Sequence, residues 1–205
     1  MESIQLKDRI QRDILTREVH LHRKEILQPL IDYLQNAVNN QSAANLNFIC
    51  THNSRRSHLA QVWSQVAAYY YGIKLVNCYS GGTEITAVYP TIIETFKAAG
   101  IRVLQLNDGI NPIYALKYTE NSSAIISFSK HYTSEFNPQS DFAAILTCSH
   151  ADENCPLVQG STTRIPLSYE DPKAYDGQID ESLKYQTRSF EIAAEMFYVF
   201  SEIRQ

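Results

Sequence analysis

The chain has 205 residues, 44% of them apolar and 20% charged, with a net charge of −4. That length suits one well-buried core and is short for two, and the composition argues against disorder. So mild an acidic balance gives no support to a nucleic-acid partner or an acidic membrane surface, so any anion site must be built locally.

Met1 to Arg9 is charged and lacks the apolar run of a signal peptide, and no apolar stretch approaches the ~20 residues of a membrane span. The expected compartment is the cytoplasm. Residues 1–44 read as a helical extension without recognisable chemistry. Ile10, Ile14 and Leu15 recur at helical spacing, as do Ile26, Leu30, Ile31 and Leu34. Pro29 either starts the second helix or kinks it. A polar tract, Asn39 to Ser42, then reads as a loop.

From residue 45 strands and helices alternate. Leu46 to Cys50 is a short apolar strand, and Leu59, Val62, Trp63, Val66 and Tyr70 fall on one helical face. Lys74 to Asn77 reads as a second strand, with Gly81-Gly82 marking a turn. Residues 89–99 suit a helix with Gly100 at its C-terminal cap. Two or three strand-like runs follow over 101–129, broken at Asn107-Asp108-Gly109 and Asn121-Ser122-Ser123. Phe142 to Thr147 has the continuous apolar character of a buried parallel strand. The last helix carries Phe190, Ala193, Phe197, Phe200 and Ile203 on one face. The pattern predicts a three-layer α/β domain over 45–205 with a mostly parallel central sheet, preceded by the helical extension. Ligands in such folds sit at the carboxyl ends of strands.

Two cysteine motifs fall at such strand ends. Cys50-Thr51-His52-Asn53-Ser54-Arg55-Arg56-Ser57 follows the first strand and opens a helix. A loop of that length can wrap one tetrahedral oxyanion with successive backbone N–H groups, aided by the helix N-terminus. Arg56 can add a planar fork to two oxygens. A cysteine at the mouth of such a loop sits where the nucleophilic thiolate is favoured. Ser57 can donate to the sulfur, and Asn53 can lock the backbone. His52 reads as a loop residue whose backbone does the binding.

This segment resembles the signature of the low-molecular-weight protein tyrosine phosphatase family, including its arsenate reductase branch: Cys, two residues, Asn, two residues, Arg, Ser, after the first strand. The resemblance implies that fold, Cys50 as nucleophile, and Thr51 to Ser57 as the oxyanion loop. It departs at Arg55, where many relatives have a second cysteine, in the extension 1–44, and in the long stretch 101–140.

Attack by cysteine on a phosphate needs a proton donor for the leaving oxygen. In the family this is an Asp-Pro aspartate late in the chain, which corresponds here to Asp171-Pro172, with Glu170 and Asp176 ranked below it. Cys148 and Cys155, seven residues apart after the apolar strand, resemble the redox pair of thioredoxin-coupled arsenate reductases. The implied sequence has Cys50 attack arsenate, Cys148 attack the adduct, Cys155 resolve the disulfide, and thioredoxin reduce the final pair. A metal site around His150 lacks a second pair of ligands, so no metal or cofactor is expected. Cys78 reads as a core residue, and His20, His22, His58 and His131 carry no signal. The expected substrate is arsenate. The rivals are a phosphatase acting on a phosphate ester through the same loop and, more remotely, a non-catalytic anion-binding regulatory domain.

Overall fold

The computed structural model describes residues 4–154 and 157–205. The extension folds as α1 (Ile4–Arg9), continues as a π-helical turn over Ile10–Ile14, and enters α2 (Leu21–Asn39). Leu6, Ile10, Ile14, Leu27, Leu30 and Leu34 are almost fully buried in the main core. Leu15, grouped with Ile10 and Ile14 by spacing, is instead exposed, because it lies at the end of the π-helical turn. Pro29 neither starts nor ends α2. It sits on the helix's exposed side, where the Glu25 carbonyl that lacks its usual N–H partner can face water.

The remaining elements are β1 (Ala44–Cys50), α3 (Arg56–Tyr70), β2 (Val76–Gly82), α4 (Pro90–Ala98), β3 (Arg102–Gln105), β4 (Tyr114–Lys117), β5 (Ile125–Ser127), β6 (Phe142–Leu146), α5 (Ser149–Asn154), β7 (Ser161–Pro166) and α6 (Glu181–Ser201). Four strands form a wholly parallel sheet in the order β2-β1-β6-β7. Gly100, at φ 93°, ends α4 as its spacing predicts, with its N–H donating to the Lys97 carbonyl at 2.9 Å.

One face of the sheet, including Leu46, Phe48, Ala143, Ile145 and Ile165, joins a single core with the buried faces of α2, α3 and α6. Trp63 ties α3 to α6 through its indole N–H, 2.8 Å from Ser189 Oγ. The opposite face, with Ile49, Phe142, Ala144 and Leu146, is covered by Ala151 of α5, Val158 and Tyr132. Because β6 is buried on both faces, its five residues are all apolar. Among the described residues no helix is long and apolar enough to cross a membrane.

One expectation needs correction, and two features could not be placed from the sequence. The stretch 101–129 forms three strands, but they make a separate antiparallel sheet, β3-β4-β5. β7 had no clear sequence signal, because Ser161-Thr162-Thr163-Arg164 is a half-exposed edge. Gly81-Gly82 is no turn: both residues belong to β2, in register with Ile49 and Cys50. Their lack of a side chain serves close approach instead. A Cβ on Gly81 would lie 2.4 Å from Tyr132 Cα, and one on Gly82 within 2.7 Å of Glu84 O, Asn53 N and Thr51 O.

Most of the outer edge of β2 is dressed. Gln65 accepts from Cys78 N at 3.1 Å and donates to Val76 O at 3.1 Å. Gln61 donates to Cys78 O, and Asn137 donates to Ser80 O, each at 3.0 Å. At the far end Gly82 exchanges backbone bonds with Lys130 O and Tyr132 N, both at 2.9 Å. Side chains and a returning loop thus replace the missing neighbour strand.

Candidate active site

β1 delivers Cys50 as its last residue, and the chain turns through residues 51–55 before α3 begins at Arg56. Every carbonyl along this turn is engaged outside the loop. Cys50 O accepts from Thr83 N at 3.1 Å and Thr51 O from Glu84 N at 2.8 Å. His52 O accepts from Ser129 Oγ at 2.9 Å and Thr86 Oγ1 at 3.0 Å. Ser54 O accepts from Tyr89 N at 3.1 Å, and Asn53 O is bonded by His58 at 2.8 Å. In a planar trans peptide the N–H points opposite to the carbonyl it adjoins. The N–H groups of Thr51 to Arg55 are therefore turned to the inner side, and none of them donates to an acceptor among the described residues. Asn53 makes this curvature with φ at 43°, a left-handed conformation that asparagine tolerates.

A chain of polar side chains fixes the loop. Asn53 Oδ1 accepts from Lys130 N at 3.0 Å, and its Nδ2 donates to Ser57 Oγ at 2.9 Å. Having accepted from Asn53, Ser57 keeps its own hydrogen for Cys50 Sγ, 3.1 Å away. His58 is a site residue that the sequence did not reveal. It is fully buried, with Nε2 at the Asn53 carbonyl and Nδ1 2.8 Å from Ser127 Oγ and 3.3 Å from Ser80 Oγ. A carbonyl only accepts, so Nε2 carries the proton and bare Nδ1 receives a serine hydroxyl. Burial, with the nearby Lys130 charge adding to it, pushes His58 down to about 3, so it is neutral at ordinary pH. Its only sequence hint was its place beside Ser57 in the first turn of the helix.

The two arginines diverge. Arg56 Nη2 donates to Asp171 Oδ2 at 2.6 Å and Nη1 to the Tyr169 carbonyl at 3.0 Å, while its buried Nε has no partner among the described residues. Asp171 also caps the short 3-10 turn Pro172–Tyr175, accepting from Lys173 N at 3.1 Å. Arg55 turns its side chain away. Its Nε donates to Tyr185 Oη at 2.6 Å, its Nη2 to Asp176 Oδ2 at 2.5 Å, and its guanidinium lies 4.1 Å from the Tyr89 ring centre. Asp176 is thus occupied by Arg55 and Tyr185, and Glu170 by Arg188 at 3.0 Å. The His52 side chain is half-exposed and faces Glu84 at 3.3 Å.

Cys148 follows β6 and packs in the same buried cluster as Cys50. Thr51 Oγ1 lies 3.5 Å from Cys148 Sγ and 3.3 Å from His150 Nδ1, and Ala151 N donates to the Cys148 sulfur at 3.3 Å. Cys50, Cys78 and Cys148 are free thiols. Cys155 lies outside the described residues. Cys78 sits in the core, away from this cluster, and burial pushes its thiol up. His20 and His22 lie on the surface of the extension, and His131 packs against Tyr132. The structure therefore gathers Cys50, Asn53, Ser57 and His58 in one network, links Thr51 to Cys148, and pairs Arg56 with Asp171.

Residues 45–118 match the family of low molecular weight phosphotyrosine protein phosphatases. The chain is 31% identical over 129 residues to arsenate reductase 2 of Staphylococcus epidermidis, covering 61% of this chain and 76% of that one. It is 30% identical over 125 residues to an arsenate reductase of Bacillus cereus, covering 61% of this chain and 74% of that one. A solved structure described as an arsenate reductase in the phosphate binding state matches 78% of this chain and 99% of its own, at 17% identity and a TM-score of 0.46. The chain belongs to the low molecular weight phosphotyrosine protein phosphatase family, with arsenate reductases among its relatives.

Proposed function

We propose that the protein is an arsenate reductase-like enzyme whose oxyanion loop is Thr51 to Ser57. The observation that carries this reading is the outward engagement of every loop carbonyl, which leaves a row of N–H groups with no acceptor among the described residues. Such a row is an anion nest, and Arg56 Nε is a further buried donor without a partner. Arsenate and phosphate have nearly the same shape and charge, so either fits the loop.

Cys50 is the nucleophile. Its sulfur bonds to arsenic(V) and an arsenate oxygen leaves as water, taking a proton from Asp171 as general acid. The Cys148 thiolate then attacks the Cys50 sulfur. The sulfur–arsenic bond breaks with its electron pair staying on arsenic, so arsenite leaves and a Cys50–Cys148 disulfide forms. Two thiols supply the two electrons. Cys155 attacks Cys148, frees Cys50 and leaves a Cys148–Cys155 disulfide for thioredoxin to reduce. The Thr51 hydroxyl, in reach of the Cys148 sulfur, supports the second step by linking the loop to the relay cysteine. A thiol relay of this kind suits a reducing compartment, for which we propose the cytoplasm.

Purified protein with thioredoxin, its reductase and NADPH is expected to consume NADPH when arsenate is added, and mass spectrometry to find Cys148 linked to Cys155. Folded protein that consumes none would remove the reductase reading. The loop and the Arg56–Asp171 pair equally favour phosphate-ester hydrolysis, which needs neither later cysteine. Replacing Cys148 and Cys155 with serine separates the two: ester turnover survives and arsenate turnover stops at the first adduct.

A further inference from the structure

The proposed acid, Asp171, stands two residues after Tyr169, and the short segment between β7 and the 3-10 turn is gripped from both sides. On the loop side Arg56 holds the Tyr169 carbonyl and the Asp171 carboxylate. On the far side the grip comes from the N-terminal extension. Arg23, on α2, donates from Nε and Nη2 to the two carboxylate oxygens of Glu195 on α6, at 2.7 and 2.8 Å. Tyr169 Oη donates to the same Glu195 at 2.8 Å, and the Arg23 guanidinium lies 5.0 Å from the Tyr169 ring centre. Arg23 Nη1 also reaches the Ser168 carbonyl at 3.4 Å. Burial, helped by the Glu195 charge, keeps the Tyr169 hydroxyl protonated and so a donor.

These bonds matter because packing behind the segment is incomplete: Tyr169 is buried at the margin of the main core, and beyond it the space is open. A cleft of about 410 Å³ opens there, lined in part by Val19, Arg23, Tyr169, Glu170, Ala194 and Glu195. The Tyr169 N–H is bonded to Thr147 O at 3.2 Å, so without the ion pair the freedom falls to the Tyr169 ring and to residues 170–171, which can tilt toward α6 and carry the carboxylate with them. A paired fork of two charge-assisted bonds is stiff enough to prevent that, since each bond is short and directional.

We propose that Arg23, together with Glu195, is a positioning residue for Asp171: the extension braces the acid-bearing segment over the oxyanion loop. The inference rests on the reading of Asp171 as the general acid. It gives the extension a part in turnover in addition to its part in the core.

General acid catalysis matters most when the leaving group is poor, so the test compares two phosphate esters. Phenyl phosphate needs a proton on its departing oxygen; 4-nitrophenyl phosphate hardly does. Arg23→Ala is expected to lower kcat on phenyl phosphate about tenfold with KM unchanged, a fraction of the roughly 10²–10⁴ that a general acid supplies, and to change 4-nitrophenyl phosphate turnover less than about twofold. Arg23→Lys recovers part of the loss. In an Asp171→Asn background Arg23→Ala adds nothing. Tyr169→Phe, which keeps the carbonyl for Arg56, shows the same ester dependence and serves should Arg23→Ala not fold. An equal loss on both esters, or a loss that persists beside Asp171→Asn, overturns the brace. If Asp171→Asn is itself blind to the leaving group, the acid assignment fails and the brace with it. If Asp171→Asn discriminates and Arg23→Ala does not, only the brace fails.

Discussion

His58 offers the sharpest quantitative test of the loop's support. In the folded protein its imidazole is held near 3, against 6.5 for the free group, because protonation would put a charge in a site closed to water. Between those two values the unfolded chain binds a proton that the folded chain does not. Stability is therefore fully present above pH 6.5 and is lost as the pH falls toward 3, at up to about 1.4 kcal/mol per pH unit from this group alone. From about pH 7 to about pH 4.5 that amounts to roughly 2–3 kcal/mol. Urea denaturation of the wild type and of His58→Gln at those two values isolates the contribution, because glutamine keeps a donor and an acceptor but does not titrate. At the higher pH the variant is expected to be the less stable protein, since it fits the Asn53 carbonyl and the two serines less well. At the lower pH the gap narrows or reverses by the amount given. Two denaturation series that run parallel in pH would refute the claim that His58 is buried neutral beneath the loop.

Three further outcomes follow from the same region. Asn53→Ala loses two side-chain hydrogen bonds and places alanine at φ 43°, so a fall of about 3 kcal/mol in chemical denaturation is expected. Gly82→Ala forces a methyl group within 2.7 Å of the loop backbone and should cost at least about 2 kcal/mol as well as turnover, although glycine has no side chain to contribute. Lys130 is buried with no carboxylate paired to it among the described residues and is held down to about 7 by desolvation, so the wild type gains stability from pH 7 toward 10.5. Lys130→Met should flatten that rise, by up to about 1.4 kcal/mol per pH unit, and show greater stability than the wild type at about pH 7 in the same denaturation assay.

Much of the fold was legible where one local pattern decided the outcome. β6 read as a buried strand because its five residues are apolar throughout, and α3 and α6 because their apolar residues recur on one helical face. Where two demands competed, local reading failed. Gly81-Gly82 has the composition of a turn, yet the close approach of Tyr132 and of the loop backbone calls for glycine within a strand. β7 is an edge strand of small polar residues, and its pairing with β6 supplies what its own sequence does not. The candidate loop was legible because its residues are contiguous and their spacing carries the chemistry. Its supports were not: Ser127, Ser129 and Lys130 reach it or His58 from 69 to 77 residues away, and behind the Asp171 segment Arg23 meets Glu195 across 172 residues. No spacing rule applies to such pairs, and a single histidine such as His58 has no periodicity to betray it.

The anchoring of the loop's carbonyls has an effect beyond its shape. Thr83, Glu84 and Tyr89 donate their N–H groups to peptides whose opposite ends would face an anion held as proposed in the loop. An anion that pulls electron density through those peptides alters the bonds on their far side, since hydrogen bonds in series polarise one another. The anion also binds only the folded chain, so an excess of about a hundredfold over its dissociation constant adds roughly 2.7 kcal/mol to stability. Phosphate should therefore slow hydrogen exchange at residues 83, 84 and 89, which it never touches, and saturation of that protection would report occupancy of the loop without any turnover.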